Sequence, residues 1–128
     1  TVEALNNKLR REKTTLVLVG KKKPIKREWR FFAYKNEILT GSLYLVGEEQ
    51  INQEVRGGYL MDYAAKVIQA VDWYPEKLYT IDICESEGEL HVLELGSFSC
   101  AGAYGCDLSL VVEAGIRAAR ADWEEVNL

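Results

Sequence analysis

The sequence predicts an α+β fold, an antiparallel β-sheet with helices packed on one face. Two pairs of strand-like segments, each joined by a short polar turn, are interleaved with segments whose apolar residues recur at helical spacing. The chain has 128 residues, of which 48% are apolar, which suffices for one buried core. We therefore expect a single domain over residues 1–128.

The first half of the chain is predicted to contain one helix and three strands. Helical spacing of apolar residues predicts a helix over Val2–Glu12, and the short apolar run Thr15–Gly20 predicts a buried strand. The alternating, aromatic-rich segment Glu28–Tyr34 predicts a strand that turns tightly and returns as Glu37–Val46. The polar segment Gly47–Gly58 is expected to be a mobile surface loop.

The second half repeats this alternation. One apolar face over Tyr59–Val71 predicts a helix, and the apolar segments Tyr79–Cys84 and Leu90–Gly96 predict a second hairpin. The small and polar residues Gly96–Gly105 indicate a loop, after which Asp107 is expected to cap a helix that ends near Ala121. The predicted element order is α-β-ββ-α-ββ-α.

Composition narrows the function classes. The net charge of −4 disfavours nucleic acid as the main partner, and no apolar run approaches the ~20 residues of a membrane span. The three cysteines form no framework spacing and only His91 could join them, so a reducing, cytoplasmic setting without a zinc site is expected. Because the chain starts at Thr1 with no visible signal peptide, it is expected to be processed or a piece of something longer.

Two acidic residues in the second hairpin are the main functional candidates. If its loop is Glu87–Glu89, Asp82 falls opposite Glu94, where like charges destabilise a sheet unless a cation or a shared proton offsets them. Such carboxylates suit Mg²⁺, whereas a one-residue slip would turn them to opposite faces. Two unrelated surface acids are the alternative. The same register would also pair Ser86 with Leu90 and Cys84 with Val92.

Two basic features have both a functional and a structural interpretation. The run Lys21–Arg27 is either a solvated loop or a rim that attracts phosphate. The planar guanidinium of Arg30 suits a phosphate ligand, but a structural ion pair with Glu28 or Glu37 is the alternative.

Four stretches, taken in order, resemble the C-terminal half of small ATP-grasp proteins, over about residues 16–119. A segment of the type E-W-R-F-F is followed by G-S-x-Y, by Y-x-x-D, and by a glutamate-led segment that ends in G-x-Y-x-x-D. These stretches are Glu28–Phe32, Gly41–Tyr44, Tyr79–Asp82 and Glu94–Asp107.

This resemblance implies an ATP- and Mg²⁺-dependent ligase that joins a small-molecule or peptide carboxylate to an amine or thiol. Carried over to this chain, Asp82 and Glu94 would hold Mg²⁺, and Arg30 would be catalytic by contacting phosphate or the acyl phosphate. The hinge that touches adenine would include Leu18 and Val19, and Lys23 would also bind the nucleotide.

The chain departs from the family pattern at one position of the site. The family places asparagine two residues after the metal-binding glutamate, where this chain has Gly96. The alternative is therefore a catalytically degenerate module with a binding or regulatory role. A homodimer, in which a second copy covers the nucleotide face, is a further hypothesis. The sequence does not identify the substrate.

Overall fold

The computed structural model describes residue 16 and residues 19–127, which form a five-stranded antiparallel sheet and two α-helices. The strand order is β3-β2-β1-β4-β5, so consecutive strands β1–β2, β2–β3 and β4–β5 are neighbours. A single 3₁₀ turn at Phe98–Cys100 follows the last strand. The elements are β1 (Arg27–Tyr34), β2 (Glu37–Val46), β3 (Glu49–Val55), α1 (Tyr59–Val71), β4 (Leu78–Ser86), β5 (Glu89–Ser97) and α2 (Leu108–Val126).

Helix α1 covers one face of the sheet. Alternate residues of β1 and β4 point toward this face, because successive side chains of a strand project to opposite sides. With Ala64 and Ile68 of α1 they form the largest apolar core. Its strand members, all at most 4% exposed, are Trp29, Phe31, Ala33, Tyr79, Ile81 and Ile83.

Helix α2 covers part of the opposite face. Val111 packs near Phe32, and Ala114 packs near Tyr34 and Leu78. The rest of this face carries the buried polar residues Thr40, Ser42, Thr80 and Asp82. We call the two sides of the sheet the α1 face and the α2 face.

The predicted fold class, α+β with an antiparallel sheet, is confirmed. The placement of both helices on one face was wrong, because α1 and α2 lie on opposite faces. The reason is visible in β1, where the adjacent aromatics Phe31 and Phe32 are 0% and 1% exposed and point to different sides. Both faces therefore need an apolar cover.

The predicted mobile loop Gly47–Gly58 was wrong over most of its length, since it contains the edge strand β3. Gly47 has a φ of 60° and makes the turn, after which β3 pairs with β2. Its side chains are mostly exposed, so the apolar alternation that signals a strand is missing. Helix α2 is also longer than predicted, and its last turns bond Lys77 through Asp122 and Glu125.

The predicted N-terminal helix Val2–Glu12 lies outside the described residues, as do Val17 and Leu18 of the predicted strand Thr15–Gly20. Leu16 and Val19 are 96% and 73% exposed and belong to no strand, so the prediction of a buried strand was wrong at these two positions. Apolar composition favours burial, but no described element covers them. Neither α1 nor α2 combines the length and apolar content of a membrane-crossing helix.

Candidate functional site

A row of polar side chains crosses the sheet on the α2 face. Arg30 on β1 lies between Ser42 on β2 and Asp82 on β4, and Asp82 is paired in turn with Glu94 on β5. Directly paired residues project from the same face of a sheet. The row therefore gathers two carboxylates, one guanidinium and one hydroxyl from four different strands.

The predicted pairing of Asp82 with Glu94 is confirmed, but the hairpin reaches it by another route. The loop has only Glu87 and Gly88, whose φ angles of 56° and 85° form a tight turn. The register then shifts next to Asp82, which leaves Leu93 as a bulged residue. The predicted tip pairs were wrong: Ser86 is paired with Glu89 and Cys84 with His91.

Glu94 lies over the α2 face beside Thr80. A Cβ atom placed on Gly96, the residue opposite Thr80, would lie 2.7 Å from Thr80 Oγ1 and 3.6 Å from Glu94 Oε1. The two oxygens therefore border the same space, which glycine leaves free. The carboxylates differ in burial, because Asp82 is 4% exposed whereas Glu94 is exposed.

Arg30 and Asp82 form a bidentate ion pair. Arg30 Nε donates to Asp82 Oδ1 at 2.8 Å, and Nη2 donates to Oδ2 at 2.6 Å. The side chains are only 12% and 5% exposed, so the pair is well shielded from water. The hydrogen bonds to Asp82 raise the pKa of Arg30 above its ordinary value, opposed by burial. Each carboxylate oxygen has a second lone pair, so the pair does not exhaust the binding capacity of Asp82.

Two tyrosines cover the Arg30 guanidinium. Its carbon lies 5.6 Å from the ring centre of Tyr44 and 5.2 Å from that of Tyr104, and these rings stack 4.7 Å apart. Arg30 Nη1 also donates to the Gly102 carbonyl at 3.2 Å. The alternative ion pairs of Arg30 with Glu28 or Glu37 were wrong, since Arg30 pairs with Asp82 and Glu28 accepts from the Tyr44 hydroxyl at 2.6 Å.

The pKa of Tyr44 is raised above its ordinary value, first by burial and then by the hydrogen bond to Glu28. Tyr44 therefore stays protonated and donates to this carboxylate throughout the physiological range. That bond fixes the ring that lies against Arg30.

The loop after β5 is anchored to the sheet. The Gly105 amide donates to Ser42 Oγ at 3.1 Å, and the Asp107 amide donates to Thr40 Oγ1 at 2.9 Å. Gly105 packs so closely on β3 that a Cβ there would lie 2.7 Å from the backbone of Asn52. Next to these anchors Tyr104 adopts a left-handed φ of 49°, which few residues other than glycine favour. The anchors therefore hold Tyr104 over Arg30.

Lys23 lines a pocket of about 290 Å³ beside this row. Cys84 and His91, which also line it, are paired with each other on the hairpin-tip side of Asp82 and Glu94. Burial raises the pKa of the Cys84 thiol, and the nearby Lys23 charge acts in the opposite direction. The full lining is Lys21, Lys23, Ile25, Cys84, Ser86, His91 and Leu93.

Five of the six candidate site residues are described, and three of them meet. Asp82, Glu94 and Arg30 share the polar row, Lys23 lines the neighbouring pocket, and Val19 is exposed and outside that lining. The sixth candidate, Leu18, lies outside the described residues. Within the described ranges, no three His, Cys, Asp or Glu side chains gather closely enough to hold a metal alone.

Sequence reasoning missed the residues that build the surroundings of Arg30. Tyr44 and Ser42 lie in the stretch Gly41–Tyr44, and Tyr104 lies in Glu94–Asp107, so both stretches carried the signal. The missing step was spatial, because only the strand pairing brings these stretches against β1.

The sheet, its two helices and this polar row are consistent with a subdomain of the ATP-grasp class. A family model described as an ATP-grasp domain, the third family of its clade, matches residues 1–114, so the chain belongs to this ATP-grasp family. The predicted resemblance to ATP-grasp proteins is thereby confirmed. No curated protein and no solved structure gives a significant match to the chain.

Proposed function

We propose that this chain supplies the metal- and phosphate-binding half of an ATP-grasp ligase, which joins a carboxylate substrate to an amine or thiol. The observation that carries the proposal is the polar row of Arg30, Asp82 and Glu94 on one face of the sheet, in a chain of the ATP-grasp class. The acceptor and the substrate, a small molecule or a peptide, belong to the same proposal. So does a cytoplasmic setting.

The residues of the row fit a hard divalent cation such as Mg²⁺. Asp82 and Glu94 offer opposed carboxylates, and Gly96 leaves space beside them that a Cβ would fill. Bound there, Mg²⁺ would neutralise phosphate charge during phosphoryl transfer. Two carboxylates with phosphate oxygens and water are a usual ligand set for this ion, so a third acidic residue is not required.

The cationic groups fit the phosphates of ATP. Arg30 holds its guanidinium in one orientation through Asp82, Tyr44 and Tyr104, so it is preorganised for an anionic ligand. In the neighbouring pocket, Lys21 and Lys23 add positive charge on long, flexible side chains, which attracts phosphate without fixing its geometry.

Calorimetric titration with Mg-ATP and Mn-ATP tests the proposal. We expect Glu94→Gln to weaken metal-dependent nucleotide binding at least about tenfold, or ~1.4 kcal/mol, because an amide oxygen replaces a charged ligand. Glu89→Gln is the matched control, since Glu89 is also an exposed residue of β5 but lies at the hairpin tip. Equal affinity of wild type and Glu94→Gln would remove the metal site.

A catalytically degenerate module is the second candidate, favoured by Gly96, which offers no side-chain oxygen. Measuring ADP formation separates the two functions, because a degenerate module would bind Mg-ATP without turning it over in the presence of carboxylate and amine substrates. The hypothesis that a second copy covers the nucleotide face is tested by mass measurement in solution with and without Mg-ATP. A monomer under both conditions excludes it.

A further inference from the structure

The pair next to the two carboxylates carries a third oxygen. Thr80 lies two residues before Asp82 on β4 and is paired with Gly96, which lies two residues after Glu94 on β5. Side chains two residues apart on a strand share a face, so the Thr80 hydroxyl projects on the same side as both carboxylates. The two pairs together form a square of two carboxylates, one hydroxyl and one glycine.

The Thr80 hydroxyl is poorly explained by the packing around it. Thr80 is 1% exposed, and its Oγ1 takes part in none of the side-chain hydrogen bonds within the described residues. No fully buried side-chain oxygen in that part of the chain lacks a partner, so Oγ1 keeps access to the space above Gly96. Glu94 Oε1 borders the same space.

We infer that Thr80 supplies the neutral oxygen ligand that accompanies Asp82 and Glu94 at the divalent cation, in place of a side chain at position 96. This inference rests on the proposed function. A threonine hydroxyl is an established type of ligand for Mg²⁺. Because a Cβ at position 96 would lie 2.7 Å from Thr80 Oγ1, a side chain at 96 and the Thr80 hydroxyl exclude each other. One chain therefore uses either position for the ligand, and this chain uses Thr80.

The inference predicts a specific pattern of affinities for Mn²⁺ in the presence of ATP. Thr80→Val keeps the shape of the side chain but removes its oxygen, so binding should weaken about tenfold. Thr80→Ser keeps the hydroxyl and should bind within about threefold of wild type. Gly96→Asn alone should weaken binding because it crowds Thr80, whereas Thr80→Ala with Gly96→Asn should recover binding to within about threefold.

Each outcome decides the question when thermal melts confirm folding. Unchanged binding by Thr80→Val overturns the inference, while weaker binding by Glu94→Gln in the same experiment leaves the proposed function in place. If Glu94→Gln also binds as tightly as wild type, both fall. If Thr80→Val does not fold, the double variant decides: recovered binding relative to Gly96→Asn supports exchange of the ligand, and no recovery overturns it.

Discussion

The two faces of the sheet use the same strands for different purposes. On the α1 face, Phe31, Ile81 and Ile83 are 0% exposed and make a wholly apolar core. On the α2 face, the intervening residues Arg30 and Asp82 are also shielded from water but are charged. Because burial of apolar surface stabilises whereas burial of charge costs free energy unless it is paired, we infer that one face supplies most of the stability and the other the chemistry.

The largest expected effect comes from the α1 face. Phe31→Ala removes a fully buried ring and should lower the free energy of unfolding by about 3–5 kcal/mol, measured by urea denaturation. At temperatures where the variant is still folded, its metal-dependent nucleotide affinity should be within about threefold of wild type. A specific loss of that affinity in the folded variant would contradict the division between the faces.

Breaking the ion pair on the α2 face should have the next largest effect. Asp82→Ala leaves the Arg30 guanidinium without its bidentate partner, which we expect to cost about 2–4 kcal/mol of unfolding free energy. Removing both charges, with Arg30→Met and Asp82→Ala together, should recover part of that loss. Denaturation of the four proteins of this cycle gives the coupling energy, and strict additivity would show that the pair is not coupled.

Glu94→Gln should change stability by less than about 0.5 kcal/mol, because its side chain is exposed and forms no ion pair with any residue that the structure describes. The same variant is expected to lose metal-dependent nucleotide binding. Thermal unfolding with and without Mn-ATP measures both: the ligand-induced rise in melting temperature should shrink while the ligand-free value stays. A large loss of ligand-free stability would assign Glu94 to the fold.

The smallest effect concerns Cys106, which packs near Phe32 on the α2 face. Burial raises the pKa of this thiol to about 12, against about 8.5 for an ordinary cysteine. The folded protein keeps the proton that the unfolded chain loses, so this group lowers stability between about pH 9 and 12, by at most about 1.4 kcal/mol per pH unit. Cys106→Ala should flatten that slope, and the control Cys100→Ser, at an exposed position, should leave it unchanged.

Local patterns predicted the fold elements whose residues alternate clearly. The hairpin of β4 and β5 was predictable because apolar segments surround a polar turn, whereas β3 lacked such a pattern as an exposed edge strand. The partner of Arg30 was not predictable from spacing, because Asp82 is far away in sequence and meets it only through the pairing of β1 with β4. The carboxylates were found because their spacing and strand context are local.

The bulge at Leu93 separates the hairpin tip from its base. The three-residue loop expected from the sequence and the observed two-residue turn followed by a bulge place the same residues, Asp82 and Glu94, opposite each other. The segment between Ile83 and Val92 can therefore slide by one position without moving the carboxylates. Substitutions at Gly88 that alter the turn should be absorbed before they reach the acidic pair, which makes the tip of this hairpin a tolerant place to attach a label or an extra segment.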